Sequence, residues 1–267
     1  MKYLIALSFL FMLACTDNQS IEERGAIYTI SGEDCFEQNS EYFLMDVILR
    51  DQNDSVMLNT IELGRKLEIS RGQLDSQMLV AELIMKLCSG DSLNIELSAD
   101  SFYMALGGVR PISLENQKIN AWIRMQDKLT SLQYEVHKQL FEKQSMVKYV
   151  EKYRWNASFD STTGIHYEKL KTSRSSSSDF KKASFKYVLK TINEDLIAYS
   201  KDEDPLIIDL EKQDVMKGIK FLAMKLKEGE SARALIPSSS AFGTQGNEKV
   251  PPYFPIILEL EYLEKIE

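Results

Sequence analysis

Histidine is nearly absent: 267 residues contain two, His137 and His166. They lie far apart, and neither has a Cys or carboxylate partner at ligand spacing. A metal site gathers three or four ligands, so neither a metal nor another cofactor is expected. Positive charge is also short. Thirty-two Lys and Arg face 40 Asp and Glu, giving a net charge of −8. A nucleic-acid binder needs a basic face to release counterions, which argues against that class. Signatures of covalent and phosphate chemistry are missing too. The serines at 175–178 have no local base and no nucleophile-elbow glycines. Gly107-Gly108 lacks the Lys-Ser/Thr that completes a phosphate loop. Tyr3 to Leu13 is apolar but too short to span a bilayer comfortably.

That short run has another meaning. Met1-Lys2 is a positive start, and the run ends in Met12-Leu13-Ala14-Cys15. This resembles a bacterial lipobox, with the small Ala14 before a lipidated Cys15. It implies a signal peptide at 1–14, a lipid-anchored tether at 15–24, and a protein held by acyl chains outside the cytoplasm, on the periplasmic side or at an outer membrane. The other reading is a non-lipidated secretory peptide with an incidental cysteine. Of three cysteines, Cys35 and Cys88 remain. In an oxidising compartment they form a disulfide, or they are two buried thiols.

With 44% hydrophobic residues, the chain can build one large or two modest cores. Tyr42 to Leu49 alternates, Asp51 to Asp54 turns, and Ser55 to Leu58 returns, which is a hairpin signal. Gln77 to Leu87 suits a short helix, stopped by Ser89-Gly90-Asp91. Leu93–Leu97 and Lys118–Met125 read as strands, the second with Trp122 buried. Leu129 to Trp155 has no Gly or Pro; Leu132, Val136 and Leu140 share one helical face, as do Phe141, Val147 and Val150 further along. That helix links two domains, packs on one, or pairs with a second copy; linkage is the simplest reading. Beyond a polar boundary at 156–163 come strands at Ile165–Leu170, Ala183–Thr191, Leu206–Leu210, Gly229–Pro237 and Ile256–Leu263. Val215–Met224 is a short helix, and Thr172–Asp179 reads as a Ser-rich loop. The sum is α+β: an antiparallel sheet with a helix laid on it.

The tail carries the specific pattern. Glu230-Ser-Ala-Arg-Ala-Leu-Ile-Pro237 is a strand; Ser-Ser-Ser-Ala-Phe-Gly243 is a loop with a small residue and an aromatic. Val250-Pro251-Pro252 is a corner, and Ile257-Leu-Glu-Leu-Glu261 is a last strand. With Pro205-Leu206, the turn Lys212 to Gly218, and Met224-Lys225 to Gly229-Glu230, this order resembles the FKBP-type peptidyl-prolyl cis-trans isomerases over residues 157–267. The resemblance implies an FKBP-like sheet wrapped on a short helix, and a catalyst of X–Pro isomerisation.

It also implies a pocket. Tyr187, Met216 and Phe242 fall on positions that catalyse, Met216 through its backbone N–H. Ile197, Leu206, Val215, Ile219, Val250 and Leu258 fall on substrate-binding positions. No cofactor is implied. Several positions depart from the family's pattern. Ile219 replaces its helix-floor tryptophan, and Phe242 replaces a loop tyrosine. Leu206 and Leu258 replace phenylalanines, and Ile197-Ala198 replaces a Phe-Asp pair. The pocket stays apolar but loses aromatic wall and polar handles.

The first half echoes the second. Ala81–Leu87, Gly90-Asp91-Ser92 and Leu93–Phe102 parallel Met216–Leu226, Gly229-Glu230-Ser231 and Ala232–Phe242. Residues 25–128 therefore read as a degenerate, non-catalytic FKBP-like domain, or as an unrelated α+β domain with a common helix–Gly–strand connection. Residues 129–156 read as a linker helix. The partners implied are proline-containing unfolded or exported polypeptides, the membrane through the anchor, and no nucleic acid. The alternative is a non-catalytic chaperone or protein-binding lipoprotein built on an FKBP fold.

Overall fold

A computed structural model describes residues 20–32, 39–174, 180–211 and 215–266. The expected signal peptide, Cys15, Cys35, the serines at 175–178 and residues 212–214 of the expected turn lie outside the described residues. The chain divides into two compact units, residues 1–134 and 135–267.

The first unit runs β1 (Ile21–Glu23), β2 (Ala26–Ser31), β3 (Tyr42–Asp51), β4 (Val56–Asn59), β5 (Leu67–Ser70), α1 (Leu79–Lys86), β6 (Ser92–Ser98), α2 (Ala99–Ala105) and β7 (Lys118–Leu129). Its strands are antiparallel in the order β1-β2-β6-β7-β3-β4, with β5 also on β3. Alternation sets the faces. Met45, Val47 and Leu49 of β3, Leu93, Ile95 and Leu97 of β6, and Ile119, Ala121 and Ile123 of β7 face one core. Leu79, Val80, Leu83 and Ile84 of α1 close over them at helical spacing. Trp122, expected in this core, is not part of it. It lies between the inward Ala121 and Ile123, so its ring stands half-buried on the opposite face beside Ile27 and Ile48. Cys88 is disulfide-bonded.

The second unit takes residues 135–152 of the helix α3 (Ser131–Lys152). Then follow β8 (Ser158–Asp160), β9 (Ile165–Lys171), β10 (Lys182–Thr191), β11 (Leu196–Tyr199), β12 (Leu206–Asp209), α4 (Lys217–Ala223), β13 (Ser231–Ile236) and β14 (Ile256–Ile266). The order is β8-β9-β13-β14-β10-β11, with β12 also on β10. Strand for strand, this is the order of the first unit.

The repeat extends to atoms. The partner registers slip at Leu44/Met45 in β3 and at Ser184/Phe185 in β10. The β3–β4 turn has Asp51 N–H on the Ser55 carbonyl (3.0 Å); the β10–β11 turn has Thr191 N–H on Asp195 (2.8 Å). Gly90 N–H donates to the Met125 carbonyl, and Met125 N–H to Asp91. Gly229 donates to Tyr262, and Tyr262 to Glu230, all at 2.8–2.9 Å. Both glycines have positive φ (97° and 79°), which explains why a Gly–acid pair recurs after each helix. The Asp91 and Glu230 carboxylates accept the N–H three residues earlier, from Cys88 and Lys227. The described residues repeat one strand topology twice, in line with the echo between the two halves of the sequence.

In the second unit, Ala232, Ala234 and Ile236 of β13 and Leu258 and Leu260 of β14 face α4, while Leu235 and Ile257 face α3. The face of α3 differs from the sequence expectation. Glu142, Met146 and Tyr149 are the buried positions, whereas Leu132, Val136, Leu140, Phe141 and Val147 are exposed. A carboxylate in the buried row breaks the apolar stripe and shifts its apparent phase.

Candidate functional site

The site is built on the α4 side of the second sheet. Helix α4 lies close to β13 because Gly218 has no side chain: a Cβ there would stand 2.5 Å from the Ile236 side chain. Its inner face, Ile219, Leu222 and Ala223, seals the core. Met216 is the residue before the first turn, with extended ψ (132°) and no side-chain cap. The amides there are the ones a short helix leaves without intrahelical partners.

All nine expected pocket residues fall in a single hydrophobic cluster. Ile197, Ile219, Val250 and Leu258 are buried; Tyr187, Leu206, Val215, Met216 and Phe242 are partly buried against them. An open cleft of about 520 Å³ is lined by Leu206, Val215, Met216 and Ile219, with Ile207, Lys182 and Asp209. Tyr187, Ile197, Phe242, Val250 and Leu258 do not line that cleft; they form the packed ground beside it.

Polar contacts hold this ground. Tyr187 N–H donates to the Ser200 hydroxyl oxygen (2.9 Å), and Ser200 N–H returns to the Tyr187 carbonyl (3.0 Å). Between β13 and β14 a turn at 238–240 places Ser238, whose carbonyl accepts from both Ala241 and Gly243 (2.8 Å each). Phe242 sits between those two donors. Further on, the Asn247 side chain accepts from the N–H groups of Lys249 and Val250 (2.8 Å each). The Lys249 ammonium then reaches the Ile197 carbonyl at 2.9 Å. None of these contacts has a sequence signature beyond turn residues; the ties through Ser200, Ser238 and Lys249 were missed.

Among the described residues, no three His, Cys, Asp or Glu groups are placed to hold a metal ion. Ala198 supplies no carboxyl where the family's pattern has an aspartate. The arrangement can offer an apolar surface, backbone amides and few charges.

The first unit differs at the equivalent place. After β6 the chain enters α2 directly, capped by Ser98 accepting from Ser101 N–H (3.1 Å). Phe102 of α2 is buried in the core with Leu114, Leu74 and Ala105. The ring that would border a pocket fills the interior instead.

Residues 173–263 match the family model of the FKBP-type peptidyl-prolyl cis-trans isomerases. The match lies wholly within the second unit and covers most of it. Among solved structures, the three FKBP domains of wheat FKBP73 align over 90% of this chain and 94% of theirs, at 16% identity and TM-score 0.37. A Pseudomonas syringae peptidyl-prolyl isomerase aligns over 48% of this chain and 92% of its own, at 20% identity and TM-score 0.42. FkpA from Escherichia coli aligns over 52% and 74%, at 18% and 0.41. No curated protein matches the chain.

Proposed function

We propose that this protein is a peptidyl-prolyl cis-trans isomerase that assists the folding of exported proteins, tethered to a membrane through Cys15. The observation that carries the reading is the cleft beside Met216, walled by Leu206, Val215 and Ile219 together with Lys182 and Asp209, in a unit that matches the FKBP-type family model. Rotation about X–Pro crosses a barrier of about 18–20 kcal/mol because amide resonance is lost. The twisted amide is less polar than either planar form, so a surface that removes water favours it over the ground states. Leu206, Val215 and Ile219 would desolvate the proline ring. The Met216 N–H would orient the substrate carbonyl, and Phe242 and Tyr187, packed in the same cluster, would support the cleft wall. No proton transfer or covalent intermediate is needed.

The test is exchange NMR on a proline peptide with the full chain carrying Cys15→Ser. Faster cis–trans exchange, slowed by Phe242→Ala in a folded protein, supports the reading; an unchanged exchange rate with the folded parent overturns it.

A second observation favours a holding function on the same fold. A groove of about 740 Å³ lies between α3, the β8–β9 hairpin and the loop after β13. It presents Met146, Val147, Phe159, Pro237 and Tyr253, with Glu142, Lys143, hydroxyls and His166, whose pKa burial lowers. A groove with this apolar lining suits an extended polypeptide. Suppression of aggregation of a proline-free client, lost with Val147→Asp, would support it; protection restricted to proline-containing clients would exclude it.

A further inference from the structure

The residue of α3 that breaks its apolar stripe points at the site. Glu142 is 6% exposed and Ser238 4% exposed. One carboxylate oxygen of Glu142 accepts the Ser238 N–H at 2.6 Å, and the other accepts the Ser238 hydroxyl at 2.9 Å. Ser238 in turn holds Ala241 and Gly243 through its carbonyl, the two neighbours of Phe242. An unbroken run of hydrogen bonds therefore leads from the helix to the backbone on either side of Phe242. The helix is anchored independently by Met146 and Tyr149, packed on Leu235 and Ile257. Residues 173–263 carry the family match, so Glu142 lies outside it.

A buried carboxylate is retained at a cost. Burial pushes the Glu142 carboxyl up, while the two Ser238 hydrogen bonds pull it down. An apolar residue would complete the stripe and pack α3 without that desolvation. What the carboxylate adds is geometry, because two charge-assisted bonds fix both the position and the rotation of Ser238.

We propose that Glu142 is a positioning residue: from α3 it fixes the loop that carries Phe242 and so sets the shape of the isomerase site. The catalytic consequence rests on the isomerase reading above; the structural link does not.

The experiment uses the full chain with Cys15→Ser and 4-fluorophenylalanine introduced at position 242 alone. Its ¹⁹F resonance reports the loop, and exchange NMR reports turnover. With Glu142→Ala the resonance is expected to shift or split, and kcat to fall roughly tenfold at nearly constant KM, the scale of one charge-assisted bond. Glu142→Gln keeps an oxygen for the Ser238 N–H and is expected to restore most of both. Tyr149→Leu, at the other anchor of α3, is expected to lower stability while moving neither. An unmoved resonance in folded Glu142→Ala overturns the proposal, as does an equal shift with Tyr149→Leu, which would mean general loosening of α3. If Glu142→Ala does not fold, Ser238→Ala decides: a shift in the same direction supports the link, and none overturns it. A parent protein without turnover removes the isomerase reading but leaves the fluorine result to judge Glu142.

Discussion

Tyr187 and Ser200 are joined by a reciprocal pair of hydrogen bonds, amide to hydroxyl oxygen at 2.9 Å and amide to carbonyl at 3.0 Å. The first unit repeats the pair with Val47 and Thr60: amide to hydroxyl oxygen at 2.8 Å, amide to carbonyl at 3.0 Å. The scaffold contact is kept, and the aromatic ring it carries in one unit is absent in the other. Ser200→Ala leaves the Tyr187 amide short of an acceptor and is expected to cost about 1–2 kcal/mol in urea unfolding. Tyr187→Val, which copies the first unit, should leave stability nearly intact and lower turnover in the exchange assay.

Lys249 has a role at the other wall. Its ammonium holds the Ile197 carbonyl, so the Pro-Pro loop is tied to β11. Lys249→Met keeps the stem and removes the donor. It is expected to lower kcat/KM several-fold with less than about 1 kcal/mol of stability change, the range for one part-exposed hydrogen bond. Equal turnover in the two proteins would show that this tie does not shape the site.

Close packing of α4 on β13 predicts a strict glycine. Gly218→Ala puts a methyl group 2.5 Å from Ile236 and 3.1 Å from the Ser240 carbonyl. Overpacking of this kind costs about 1–3 kcal/mol. The loss should be larger than for alanine at the exposed Lys217, measured in the same denaturant series.

Glu230 predicts the acid limb of stability. Burial raises its carboxyl, but the hydrogen bond from Lys169 (2.6 Å) and those from the Lys227 and Ser173 amides outweigh burial, so it sits below the ordinary carboxylate value. A depressed pKa in the folded state means that the unfolded chain takes up the proton first as pH falls. The contribution is therefore complete above the unfolded value of about 4.3 and is lost as pH drops toward the folded one. Glu230→Gln should flatten the stability profile over that acid window and lower stability at neutral pH. An unchanged profile would assign the acid limb to other carboxylates.

Much of this was legible because the signals are backbone signals. Gly90-Asp91 and Gly229-Glu230 mark the same left-handed turn, and a glycine at that turn can be read in one dimension. The resemblance also picked out residues that the fold brings together, since all nine share one cluster. Side choice was less accessible. Trp122 is hydrophobic enough for either face, and only the inward neighbours at 121 and 123 decide it. For α3 the misleading residue was Glu142, which pattern reading assigns to solvent and the fold buries. Ties between distant turns, such as Lys249 to Ile197, follow from three-dimensional closure and leave no local trace.

In both units the strand that comes last in the chain lies in the interior of the sheet: β7 between β6 and β3, and β14 between β13 and β10. A nascent polypeptide that has emitted everything up to residue 255 thus holds two half-sheets with open edges and no seam between them. The sheet of the second unit can be completed only when 256–266 is available to pair on both sides. Such long-range closure is slow, and the waiting edges are sticky. A protein proposed to shepherd other chains through folding would itself pass through a vulnerable, unzipped stage during synthesis.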